Sequence, residues 1–160
     1  PVYSIIFGED GEQAIWHARA TIRLSNIANN TIKEPIFHED FLTSYSLSPS
    51  GEILATSTLG TKDNANVPLV FFYNAESGEE IDSLELLSPA YSLDFSPNSQ
   101  LLVSTNDKLV TFFESTNISQ VYQFEGDPER VSDAKFSPQG NVLAVSGDNL
   151  SVSFYAVPIP

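Results

Sequence analysis

Residues Tyr91 to Phe113, YSLDFSPNSQLLVSTNDKLVTFF, decide the reading of this chain. Tyr91, Leu93 and Phe95 alternate with Ser92 and Asp94, the period of a strand with one buried face. Ser96-Pro97-Asn98-Ser99 stops that run with turn residues. Leu101-Leu102-Val103 is apolar throughout, Asn106-Asp107-Lys108 turns again, and Leu109-Val110-Thr111-Phe112-Phe113 is β-branched and aromatic. Three short antiparallel strands follow directly from this pattern.

The same wording recurs. Phe95-Ser96-Pro97-Asn98-Ser99 reappears as Phe136-Ser137-Pro138-Gln139-Gly140, as Leu47-Ser48-Pro49-Ser50-Gly51 and more loosely as Phe7-Gly8-Glu9-Asp10-Gly11. The leading positions 7, 47, 95 and 136 lie 40, 48 and 41 residues apart. A fixed period in this range marks a repeat architecture, and the frequent turns make it β. Within the first unit, runs are expected near residues 2–7, 13–18, 21–24 and 31–36. The second unit offers runs from about Ser44, at 53–58, at 69–73 and at 81–86, with a polar loop over 60–66 and a tight turn at Gly78. A run at 120–124 completes the third unit, and the fourth offers runs at 131–136, 142–146 and 150–155 with no fourth strand.

Four strands per unit at this period is the blade of a β-propeller. The expectation is an all-β chain forming a single propeller segment over 1–160, with four blades at about 1–41, 42–88, 89–128 and 129–160. The wording resembles the WD-repeat family. Phe136-Ser137-Pro138-Gln139-Gly140, Leu143-Ala144-Val145-Ser146 and Asp148 carry the likeness, as do Ala20-Thr21-Ile22-Arg23-Leu24 and Leu54-Ala55-Thr56-Ser57. The Trp-Asp pair that names the family is replaced by Ser25-Asn26, Tyr73-Asn74, Glu114-Ser115 and Tyr155-Ala156, and its Gly-His by Phe37-His38. The family's buried Asp-His-Ser/Thr-Trp network is therefore incomplete here. Aromatic packing is expected to replace it, with Phe71, Phe112 and Phe154 between blades and Trp16 buried there too. By the same resemblance, the chain is expected to be part of a seven- or eight-bladed ring. The remaining blades would come from further sequence or from a second copy, a homodimer completing eight blades.

Composition bounds the chemistry. Hydrophobic residues make up 41% and charged residues 18%, a globular balance. The net charge of −14 disfavours nucleic acid and anionic membrane and favours a basic protein partner. There is no cysteine, hence no disulfide framework and no thiolate chemistry. No apolar run approaches the roughly 20 residues of a membrane span, and no stretch reads as a signal peptide. Compartment is left open by these facts, with the cytoplasm favoured slightly.

Loops from a fourth run to the next unit, and from second to third runs, share one face by resemblance to the family. They carry the candidate binding residues His38, Glu39, Asp40, Lys62, Asp63, Asn64, Asp127, Glu129 and Arg130. Asp107 and Asp148 recur at equivalent turns, where a carboxylate accepts backbone N–H groups, and are expected to be structural. His38 with Glu39 and Asp40 is a fragment of a metal site, but no second His or Cys lies at ligand spacing, so no metal and no cofactor is expected. His38 is expected to bond a turn, as the family's histidine does. No Gly-x-Ser-x-Gly elbow exists, and Ser96 and Ser137 belong to repeated turns. His17 and His38 are the only imidazoles. The expectation is a non-catalytic scaffold for protein–protein interaction. The alternative is an accessory or sensor propeller of a larger enzyme or signalling protein whose catalytic part lies elsewhere.

Overall fold

The computed structural model describes residues 2–59, 67–126, 130–148 and 150–157. Sixteen strands form four antiparallel sheets, and no helix occurs among the described residues. The first sheet holds β1 (Ser4–Phe7), β2 (Gln13–Ala18), β3 (Thr21–Asn26), β4 (Thr31–Ile32) and β5 (Ile36–Phe37). The second holds β6 (Leu42–Leu47), β7 (Ile53–Thr58), β8 (Leu69–Asn74) and β9 (Glu80–Glu85). The third holds β10 (Ser92–Phe95), β11 (Leu101–Asn106), β12 (Leu109–Glu114) and β13 (Ser119–Glu125), and the last β14 (Val131–Phe136), β15 (Val142–Gly147) and β16 (Val152–Ala156). Each sheet runs in sequence order, as a meander does, and β10 packs between β6 and β14 as the inner strands of three successive blades.

The expected fourth run of the first blade is broken in two. β4 and β5 both pair with β3, separated by Lys33-Glu34-Pro35. Proline has no N–H to give the ladder, so an outer strand is where it can sit.

The recurring turn has a local cause. Gly11, Ser99, Gly51 and Gly140 close it with left-handed φ values of 71°, 61°, 74° and 73°. Each donates its N–H to the carbonyl three residues back, at 2.8–3.0 Å. The turn serine then accepts the N–H of the following strand's first residue: Ser48 from Ile53, Ser96 from Leu101 and Ser137 from Val142, at 2.9–3.2 Å. Ser96 and Ser137 are thus turn-forming residues.

Pairing register assigns the faces. Leu54 opposes Tyr73, Leu102 opposes Phe113 and Leu143 opposes Tyr155, and these look toward the preceding blade. One residue on, Ala55 opposes Phe72 and Val103 opposes Phe112, looking toward the following blade. Three cores result. Ile15, Ile22 and Leu24 meet Leu54 and Tyr73. Ala55, Val70 and Phe72 meet Leu93, Leu102 and Phe113. Val103, Val110 and Phe112 meet Val131, Ala134, Leu143 and Val145.

Register also corrects four expectations. Phe72, not Phe71, is the counterpart of Phe112; Phe71 is half-buried against the first core. Phe154 does occupy the counterpart position, but it is 72% exposed because its face looks outward from the last described blade. Trp16 is half-exposed on the outward face of the first blade, beside Ile5 and on the opposite side from buried Ile15. The pair standing in for Trp-Asp in the third blade is Phe113-Glu114, since Glu114 opposes Leu101 as Asn74 opposes Ile53.

Polar contacts pin neighbouring blades. The Leu93 N–H donates to Ser44 Oγ at 3.0 Å, and Ser92 Oγ donates to Asp133. Asp94 accepts from the Phe136 N–H at 2.9 Å and pairs with Lys135 at 2.8 Å.

Candidate functional site

Antiparallel meanders put the loops between blades and the turns between second and third strands on one rim. That rim carries residues 38–41, 86–91, 107–108 and 148 together with Arg130. Of the sequence candidates, His38, Glu39, Asp40 and Arg130 lie on it. Lys62, Asp63, Asn64, Asp127 and Glu129 fall outside the described residues.

His38 sits between the first two blades. Its Nε2 shares a hydrogen bond of 3.3 Å with Thr56 Oγ1 on β7. Phe71 lies 5.1 Å and Tyr73 5.6 Å from its ring centre. The His38 backbone N–H donates to the Ala20 carbonyl in the β2–β3 turn at 2.8 Å, so the expected turn bond is made by the backbone while the side chain bonds the neighbouring blade. Burial pushes the imidazole down to about 4, so it is neutral at pH 7. Burial, with Glu80 nearby, raises the Tyr73 hydroxyl well above its ordinary value. Phe37, Asp40, Leu69 and Glu80 complete a cleft of about 270 Å³ around His38. Asp40 turns back to accept the Phe41 N–H at 2.7 Å.

A second cluster joins the third and fourth blades. The Tyr91 hydroxyl donates to Asp107 at 2.9 Å, and Arg130 donates to that hydroxyl at 3.2 Å. The guanidinium carbon lies 5.1 Å from the Tyr91 ring centre and the group pairs with Asp148 at 3.7 Å. Both aspartates stand in turns, and among the described residues Asp107 accepts from the Tyr91 hydroxyl and Asp148 pairs with Arg130. This cluster is solvent-exposed.

What charge-based reading missed is the apolar content of the rim. Phe41, Leu59, Leu87 and Leu150 project from its loops, with Leu87 83% and Leu150 100% exposed. The signal was present as large apolar residues inside loop segments. The opposite rim holds a groove of about 640 Å³ between the first two blades, lined by polar groups such as Gln13, Asn26, Lys33, Glu52 and Glu76. Among the described residues, no group of three or more His, Asp or Glu side chains is placed to hold a metal ion.

Successive antiparallel meanders of up to five strands, packed face to face with their inner strands side by side, define a β-propeller. Residues 87–114 and 118–155 match the family described as WD domain, G-beta repeat. The second match begins on the outer strand of the third blade and ends within the fourth, so the sequence repeat straddles two blades. The WD repeat-containing protein slp1 of Schizosaccharomyces pombe is 23% identical over 155 residues, which cover 94% of this chain and 29% of that protein. A chain in the crystal structure of the mitotic checkpoint complex superposes with a TM-score of 0.80 at 21% identity. The superposition covers 98% of this chain and 49% of that one, so the present chain spans half or less of either relative. WD domain repeats over 87–114 and 118–155, with a propeller fold over nearly the whole chain, make it similar to the WD-repeat β-propellers, although its own repeats lack the Trp-Asp pair. Propellers of this family serve generally as scaffolds for protein interaction.

Proposed function

We propose that this chain is a non-catalytic platform whose loop rim docks a basic protein segment. The observation that carries the reading is the exposure of Phe41, Leu59, Leu87 and Leu150 on one rim, beside Tyr91 and Arg130. Aromatic and large apolar anchors with arginine are the composition of interface centres. The surrounding net charge of −14 favours a cationic partner and speeds its encounter. Glu39 and Asp40 carry negative charge on that rim in this reading, and Asp63, Asp127, Glu129, Lys62, Asn64 and His38 are proposed as further binding residues. A relative found within a multiprotein complex supports protein partners in general.

Selection of a random peptide library on the immobilised chain tests this. Enriched peptides should combine Lys or Arg with an apolar anchor. Leu87→Asp and Glu39→Lys should each weaken binding by about tenfold without changing the unfolding midpoint. Enrichment of acidic peptides, or binding indifferent to both substitutions, overturns the proposal.

The same reading includes the outward sheet faces. Ile5, Phe7 and Ile32 on the first blade and Val152 and Phe154 on the fourth are exposed large apolar side chains. Further blades, from additional sequence or from a second copy of the chain, would cover them as the internal blades cover one another.

A further inference from the structure

The cleft of about 270 Å³ around His38 opens where the first blade's outer strand is broken. β4 and β5 hold two residues each, against six in β9 and seven in β13, so the first blade covers less of its neighbour. Phe71 records the difference. It pairs with Thr56 and is half-buried, whereas Thr111, at the same register of β12, pairs with Ser104 and is buried. Phe71 and Tyr73 alternate along β8 and share the face turned to the first blade. Tyr73 is buried and floors the cleft beside Phe71, their ring centres 6.2 Å apart. Phe37, 73% exposed, stands on the opposite wall, contributed by the first blade.

The charged part of the lining is acidic. Glu39 and Asp40 come from the rim loop, and exposed Glu80 comes from β9, where its backbone opposes Tyr73. The described lining residues include no Lys or Arg. His38 is neutral at pH 7 and so does not repel a cation. Burial, and then the charge of Glu80, keeps the Tyr73 hydroxyl protonated. Aromatic side chains and carboxylates therefore face one narrow space that brings no cation of its own.

From this geometry we infer that the cleft takes one arginine side chain of a docked segment, its guanidinium between Phe37 and Phe71 and its N–H groups turned to Asp40 and Glu80. The inference rests on the reading of the rim as a platform for a basic partner, and names the residue that the partner presents. The cleft is smaller than those that enclose a drug-sized ligand, and suits a single side chain. An aliphatic side chain would gain from the rings and nothing from the carboxylates. A lysine ammonium would answer the charge, but it is compact and strongly hydrated, so bringing it against rings costs more. A guanidinium is planar and weakly hydrated, lies flat on aromatic faces, and offers carboxylates a fork of N–H donors.

NMR titration of the chain with Nα-acetyl-arginine amide tests this. Shifts should saturate and centre on His38, Phe71 and Glu80. Nα-acetyl-citrulline amide, which has nearly the same shape and no charge, should not saturate. Nα-acetyl-lysine amide should bind more weakly by about threefold. Phe37→Ala and Glu80→Gln, both at exposed positions, should each weaken the arginine probe by about threefold and leave the unfolding midpoint unchanged. Leu87→Asp, on the loop between the second and third blades, should not change it. Saturation by citrulline, equal or tighter binding of lysine, indifference to both cleft substitutions, or failure of arginine to saturate overturns the proposal. That last result, beside enriched basic peptides that depend on Leu87, strikes the cleft and keeps the rim. Arginine binding in the cleft without enrichment of basic peptides keeps the cleft and strikes the rim.

Discussion

His38 shows how one side chain stitches two blades and what that costs under acid. It leaves the first blade, bonds Thr56 of the second and packs at a tilt against Phe71 and edge-on against Tyr73. Its folded-state pKa of about 4 lies below the ordinary 6.5 of the unfolded chain. At pH 7 both states are neutral. Between pH 6.5 and 4 the unfolded chain takes up a proton that the folded chain refuses, so stability falls as the pH falls through that window. The loss attributable to His38 approaches about 3 kcal/mol at the bottom of it. Urea unfolding of the chain and of His38→Phe at a series of pH values measures the difference, in which His17 cancels. The variant should lose about 1 kcal/mol at pH 7 with the Thr56 bond, should overtake the parent near about pH 6, and should be more stable by about 2 kcal/mol near pH 4. Parallel pH profiles would show that His38 does not carry the acid sensitivity. The sequence marked out His38 as a turn residue. It gave no hint of Thr56, because that partner lies 18 positions on and meets it only after two blades pack.

At the scale of strands, face assignment turns on a single residue of register, because a one-residue shift moves every side chain to the other face. Phe72 and Phe112 occupy matched positions and are buried between blades. Phe154 is their counterpart by pairing but is exposed. Phe72→Ala and Phe112→Ala should therefore each cost about 3–5 kcal/mol. Phe154→Ala should stay within about 0.5 kcal/mol in the isolated chain. Urea midpoints with an unchanged slope decide this; an equal cost at Phe154 would mean that its face is covered in solution. Turns and strand order were legible because the Ser-Pro-x-Gly turn is local chemistry: a left-handed closing residue and a hydroxyl that accepts the next strand's N–H. Which of Phe71 and Phe72 points across the junction was not legible, because the two are adjacent and equally apolar. Nor was the apolar rim, since exposure of Leu87 or Leu150 depends on what packs elsewhere.

For the whole molecule, the two outward faces pose the same physical problem as every internal junction. The internal junctions bury Phe72 and Phe112 almost completely, while Ile5, Phe7, Val152 and Phe154 stay open to water. Apolar faces of this kind favour association. Two such chains closing face to face would, under the proposal above, form an eight-bladed ring and cover all of them. Trp16, the only tryptophan, lies on the first blade's outward face and reports on it directly. Light scattering over a range of concentrations should give twice the 17.5 kDa chain mass at the upper end. The Trp16 emission should shift to the blue over the same range, as water leaves the ring. Phe154→Asp and Ile5→Asp, placed on opposite faces, should each return the chain to a monomer with red emission, because closure of a two-chain ring needs both faces. A monomer at every concentration overturns the two-chain ring and leaves further blades in additional sequence as the cover. Open-ended growth beyond a dimer would show that the faces match but the angle between chains does not close.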